Sequence, residues 1–156
     1  MAFQWTIAEL IPHRGALCLL DGVIESHGPR LRAQLTVRDD GFFFDAVSGG
    51  GVPAWVGLEY MAQTAAAHVG VEQRLAGSAP RVGFLLGTRR YRCNVPVFTP
   101  GTVLTVSVER VALSHEGLAA YEARIEGAGV VATSQVNCLL PLTDEAADAI
   151  AKGQRP

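Results

Sequence analysis

Residues 53–76 read PAWVGLEYMAQTAAAHVGVEQRLA, and this stretch decides the fold. Ala, Leu, Met, Glu and Gln dominate it, Pro53 suits a first helical position and Gly77 suits a stop, so the pattern predicts one long helix. At 1.5 Å per residue it would run roughly 35 Å. Its first four turns carry apolar residues on nearly every side, and charge collects only from Glu72 onward. A helix apolar all round has to be wrapped by other structure. Glu59, Gln63 and His68 fall inside the most apolar window, which argues against a membrane span.

On either side of the helix the period drops to two. Leu31, Ala33, Leu35 and Val37 alternate with Arg32, Gln34, Thr36 and Arg38, the mark of a half-buried strand. It follows the apolar run 16–24 across the turn Ser26-His27-Gly28-Pro29. Residues 81–95 read as another long strand, broken from the next by Pro96 through Gly101. Leu104, Val106 and Val108 alternate with polar neighbours, as do Tyr121, Ala123 and Ile125, and then Val130 through Leu140. Turns at 114–117 and 127–129 join these strands as hairpins and make the sheet antiparallel. The prediction is an α+β fold: a long central helix wrapped by a curved antiparallel sheet of five or more strands. One domain is expected over residues 1–142, with a short acidic, Ala-rich tail over 143–156.

Composition narrows the function. The 156 residues hold 13 Lys plus Arg against 15 Asp plus Glu, a net charge of −2, which excludes the cationic surplus of a nucleic-acid or anionic-membrane binder. Only 18% of residues are charged, below the roughly 25% of typical soluble domains, so some apolar surface is expected to lie in a subunit interface. Cys18, Cys93 and Cys138 fit neither a disulfide framework nor a zinc spacing and point to reduced thiols in a cytosolic protein. The first residues, MAFQWTIAEL, lack the basic segment of a signal peptide.

Glu59 is the residue out of place. A carboxylate buried in an apolar setting costs several kcal/mol unless it is paired or protonated, and such a setting equips a carboxyl for proton transfer near neutral pH. A solvated or purely structural Glu59 is the alternative. Gln63, one turn on, can bond Glu59 or a ligand. The run Gly49-Gly50-Gly51-Val52-Pro53-Ala54 sets a pliant loop ahead of a helix N-terminus, whose free N–H groups can polarise a carbonyl.

These residues resemble a known family. Residues 52–63, VPAWVGLEYMAQ, are similar to the central-helix signature of the 3-hydroxyacyl-acyl-carrier-protein dehydratases. Ile11-Pro12-His13-Arg14 with Leu19-Leu20-Asp21-Gly22-Val23 resembles that family's opening, and Pro96-Val97 with Pro100-Gly101 its later turn. The wording of residues 55–63 and 83–87 looks closest to the dehydratase-like proteins of aryl-polyene pigment clusters. The resemblance implies a hotdog fold, paired protomers, and an acyl carrier protein whose phosphopantetheine arm delivers a 3-hydroxyacyl thioester for dehydration to the trans-2-enoyl product. It implies no metal or organic cofactor, since the thioester itself acidifies the C2 proton. Glu59 matches the helix acid, Ala54 the oxyanion donor, and Pro53 and Gln63 fall in the substrate-contacting stretch.

The family's catalytic His does not carry over: its position is Asp45, or Val47 in a shifted alignment. Three sources of a base stay open, namely Asp45 if desolvated, His13 from the N-terminal segment, or a partner protomer in a heterodimer rather than a homodimer. Arg89, Arg90 and Arg92 form the basic cluster that could dock an acidic carrier protein. A hotdog thioesterase, or a non-catalytic acyl-binding subunit of a heteromeric dehydratase, are the rival functions.

Overall fold

The computed structural model describes residues 2–47, 49–81, 83–141 and 143–153. Alternation in the sequence becomes alternation in burial. In β2 (Arg30–Thr36) Leu31, Ala33 and Leu35 are buried while Arg32 and Gln34 face out. The same holds along β7 (Leu118–Gly127) and β8 (Val130–Leu139), where Tyr121, Ile125, Ala132 and Val136 are fully enclosed. With β1 (Gly22–His27), β4 (Phe84–Cys93) and β6 (Val103–Leu113) these strands make a six-stranded antiparallel sheet in the order β1-β2-β6-β7-β8-β4. The turns predicted at 26–29, 114–117 and 127–129 join β1 to β2, β6 to β7 and β7 to β8. Ala128 and Gly129 both take positive φ, as a tight two-residue hairpin demands.

The inner face of the sheet packs on α2 (Gly57–Leu75), whose Met61, Ala65, Ala67 and Val71 are buried against β2, β6, β7 and β8. Two polar residues of α2 are satisfied inside this core. Thr64 donates to the Tyr60 carbonyl, and His68, with no exposed surface, lies between the Tyr121 hydroxyl at 3.0 Å and the Gly28 carbonyl at 2.8 Å. Burial pushes His68 below the ordinary imidazole range. Arg110 closes the cluster with a two-pronged bond to Glu72, at 2.6 and 2.8 Å.

The helix begins later than the sequence pattern predicts. Val52 and Pro53 form β3, which pairs with β5 (Val97–Phe98), and Ala54–Val56 is a single 3₁₀ turn. Pro53 is therefore a strand residue and not a first helical position: the chain after the Pro96 break returns alongside it and offers Val97 as a partner. The tail forms α3 (Asp144–Ala151), tied back by an Arg81–Asp144 ion pair at 2.8 Å. No helix among the described residues is long and apolar enough to cross a membrane.

Candidate active site

One stripe of α2, partly buried, faces a cleft beside the β4 edge of the sheet. Glu59, Ala62, Ala66, Val69 and Gln73 follow one another at alternating steps of three and four, a straight line of about 20 Å along the helix. They floor an apolar cleft of about 100 Å³ walled by Leu10 and Pro12 on one side and Phe84, Leu85 and Leu140 on the other. Glu59 and His13 stand in its lining together.

The N-terminal segment brings His13 there. Helix α1 (Ile7–Leu10) opens with a capping box of Thr6 and Glu9, and buries Ile7 and Leu10, with Ile11, against α2. Gly70 permits the close approach, because a Cβ there would strike the Leu10 carbonyl. From the end of α2, Arg74 donates twice to the Glu9 carbonyl, at 3.0 and 2.9 Å. The chain then turns at Pro12, and Arg14 curls back to donate to the Ile11 and His13 carbonyls at 2.6 and 2.8 Å. This leaves His13 Nε2 at 3.4 Å from Glu59 Oε1. Its other ring nitrogen, Nδ1, is buried without a hydrogen-bond partner, the one such side-chain atom among the described residues.

Gln63 fixes the other side of the carboxylate. It has no exposed surface, and its amide nitrogen donates to Glu59 Oε1 at 2.8 Å and to the Leu17 carbonyl at 2.7 Å. Its oxygen accepts the Leu19 N–H at 2.9 Å. Of the two roles open to Gln63 in the sequence, bonding Glu59 is the one found; it sits within the protein and orients the acid. Glu59 itself is less sheltered than its apolar sequence neighbours suggest. Its side chain keeps 35% of its exposure and that of His13 32%, because both line the open cleft.

Ala54 differs from its expected role. Its N–H donates to the Pro96 carbonyl at 3.0 Å, so it is engaged in the β3–β5 junction instead of standing free at a helix end. Asp45 does not line the cleft: it bridges Gly51 across the 37–51 loop, and its carboxylate accepts the Val47 N–H at 2.9 Å. Arg89, Arg90 and Arg92 lie apart from the cleft, around a hollow of about 410 Å³ that they share with Glu122 and Gln135. The structure thus unites Glu59, His13 and Gln63 and leaves Asp45, Pro53, Ala54 and the arginines elsewhere. Cys18, Cys93 and Cys138 are free thiols. A larger hollow, about 580 Å³, lies on the outer sheet face, where Arg30 pairs with Glu109 and Arg32 with Glu25.

Against known families, the model of the ApeP-like family, described as the ApeP dehydratase, matches residues 5–151. The chain belongs to the ApeP-like dehydratase family. Among solved structures, this ApeP-like chain is similar to one in the dehydratase heterocomplex ApeI:P from Xenorhabdus doucetiae, with 29% identity and a TM-score of 0.83 over 95% of this chain and 99% of that one. It is also similar to the PaaI protein of the E. coli phenylacetic acid degradation operon, at 13% identity and TM-score 0.58 over 80% and 84% of the chains. A hypothetical thioesterase from Streptococcus pneumoniae, solved with coenzyme A, matches at 12% identity and TM-score 0.52 over 76% and 83%. These last two likenesses concern the fold alone, and the fold is the hotdog expected from the sequence. No significant match is found among curated proteins.

Proposed function

We propose that the ApeP-like chain is one half of a two-chain dehydratase that converts 3-hydroxyacyl thioesters, carried on the phosphopantetheine of an acyl carrier protein, to trans-2-enoyl thioesters for polyene or fatty-acid-like synthesis. The observation that carries this reading is the pairing of His13 and Glu59, 3.4 Å apart, at one end of an apolar cleft, with Gln63 locking the carboxylate. His13 takes the C2 proton through Nε2. Glu59, acting as the acid, gives a proton to the C3 hydroxyl, which leaves as water while the C2–C3 double bond forms. The resulting imidazolium and carboxylate adjoin each other, so passing one proton between them restores the starting state.

Two further features support a second hotdog chain. A cleft of about 100 Å³ is smaller than the roughly 300 Å³ at which ligand pockets begin, so an acyl chain needs a wall from elsewhere. Beside it, Leu85, Leu86, Val111, Leu113 and Leu118 are 45–56% exposed, which is the uncovered apolar surface that the low charge content leads one to expect. The heterocomplex seen for ApeI:P also favours a second arrangement of the chemistry, in which the partner supplies the base and His13 only orients Glu59. Arg89, Arg90 and Arg92 serve as the docking patch for the acidic carrier protein.

The test is product analysis with 3-hydroxyoctanoyl pantetheine thioester, given to the chain alone and to the chain purified with a hotdog partner. Enoyl thioester in either preparation supports dehydration. Free thiol without enoyl product identifies a thioesterase, and no reaction in either preparation overturns the enzymatic reading. His13→Gln tests the first arrangement: turnover retained at the native level overturns His13 as the base and assigns that role to the partner.

A further inference from the structure

We propose that Tyr91 is a positioning residue for Glu59, acting through its hydroxyl on the turn that leads into α2, and that a bulge in β4 aims it there. The inference rests on the reading of Glu59 given above but draws on different residues. Between Arg89 and Arg92 the ladder with β8 slips. Arg89 faces Gln135 and Arg92 faces Thr133, so Arg90 and Tyr91 share the space opposite Ser134. Arg90 takes φ of 56°, a region that a non-glycine residue enters at a cost of about 1 kcal/mol. The bulge is held from the neighbouring strand: the buried Ser134 hydroxyl donates to the Arg89 carbonyl at 3.1 Å. Bulges of this kind re-aim the side chain that follows them.

Tyr91 is the side chain that is re-aimed. It lies half buried, and its hydroxyl donates to the Ala54 carbonyl. The Ala54 N–H is held by the Pro96 carbonyl, so both peptide groups that flank the Ala54 Cα are tied down. The hydroxyl also fills the place that a side chain at position 57 would occupy, which explains why the first residue of α2 is Gly57. Glu59 follows two positions later. A phenylalanine keeps a ring packed on the core but has no group to bond the Ala54 carbonyl, so the hydroxyl is what fixes the turn. Burial pushes the Tyr91 phenol well above the ordinary tyrosine range, which keeps it a hydrogen-bond donor at every working pH.

Three variants test this in the preparation that turns over 3-hydroxyoctanoyl pantetheine thioester. Tyr91→Phe is expected to lower kcat about tenfold with KM within about twofold, because a small misplacement of the acid affects the reacting state more than binding. Its Tm should fall by about 2–6 °C, the cost of one part-buried hydrogen bond. Gly57→Ala alone should lower both Tm and kcat through collision with the hydroxyl, and in the Tyr91→Phe background its cost to Tm should shrink. Glu59→Gln is the reference. If it abolishes turnover while Tyr91→Phe leaves kcat unchanged, the positioning role is overturned. The role is overturned equally if Tyr91→Phe lowers Tm but leaves kcat, read well below Tm, at the native value. If Glu59→Gln keeps full turnover, the functional reading of the cleft falls instead.

Discussion

Replacing Gln63 by leucine keeps nearly the same side-chain volume and removes all the hydrogen bonds by which α2 holds both Glu59 and the 17–19 segment. The Leu17 carbonyl and Leu19 N–H lose partners in a part-buried setting, and such a group costs about 1–3 kcal/mol when left unmade. Glu59 keeps 35% exposure and can turn to water, so its loss adds little to stability. Because the segment can also relax toward solvent, the total should be about 3 kcal/mol, a fall in Tm of about 6–12 °C for a chain of this size. Urea unfolding is the assay, and the midpoint should fall with an unchanged slope. Gln63→Glu supplies the control. It preserves shape but, once ionised, sets a second carboxylate against Glu59 and the Leu17 carbonyl. Its acid is held protonated by the fold, so the penalty is present at neutral pH and shrinks as pH falls toward about 4.3, where the unfolded chain also binds the proton. A midpoint for Gln63→Leu within about 0.5 kcal/mol of the native protein would refute the reasoning, since surface-like substitutions fall in that range.

Three other outcomes are expected. Burial lowers His68 below the usual imidazole range, against the partial opposition of Glu72 and the Gly28 carbonyl. The unfolded chain therefore binds the proton first, and stability should fall as pH drops below about 6.5, then level off under the folded-state value. Unfolding midpoints between pH 7 and 5 should show this slope, and His68→Gln should flatten it. Gly70→Ala drives a Cβ into the Leu10 carbonyl and should lower Tm and loosen the N-terminal segment, seen as faster amide exchange over residues 7–13. Asp45→Asn keeps the acceptor for the Val47 N–H, so turnover should stay within about twofold; a loss beyond tenfold would return Asp45 to the role of base.

The periodic parts of the fold were legible because burial obeys the same period as the sequence. Leu31, Ala33 and Leu35 had to share a face, and α2, apolar on nearly every side, had to be enclosed. Glu59 stood out through its mismatch with its neighbours. The helix start was not legible, because it depends on β5 returning beside Val52 and Pro53, a contact between residues more than forty apart in sequence. That same return engages the Ala54 N–H, which no local pattern reports. Gln63 had two open roles, and only its burial, decided by Leu17 and Leu19, selects one. Tyr91 lies inside a strand-like run that gives it no distinction. Its signal was Gly57, a residue unfavourable in a helix by about 1 kcal/mol and therefore in need of a packing reason.

The proposed chemistry is tested most directly by the rate of enoyl thioester formation by the Glu59→Gln variant in its purified assembly, read beside its melting temperature. Glutamine preserves the shape and the contact with Gln63 but carries no proton to give the departing hydroxyl. A loss of at least about a hundredfold is expected, with little change in Tm. Enoyl product formed at the native rate would contradict the role of Glu59 as the acid.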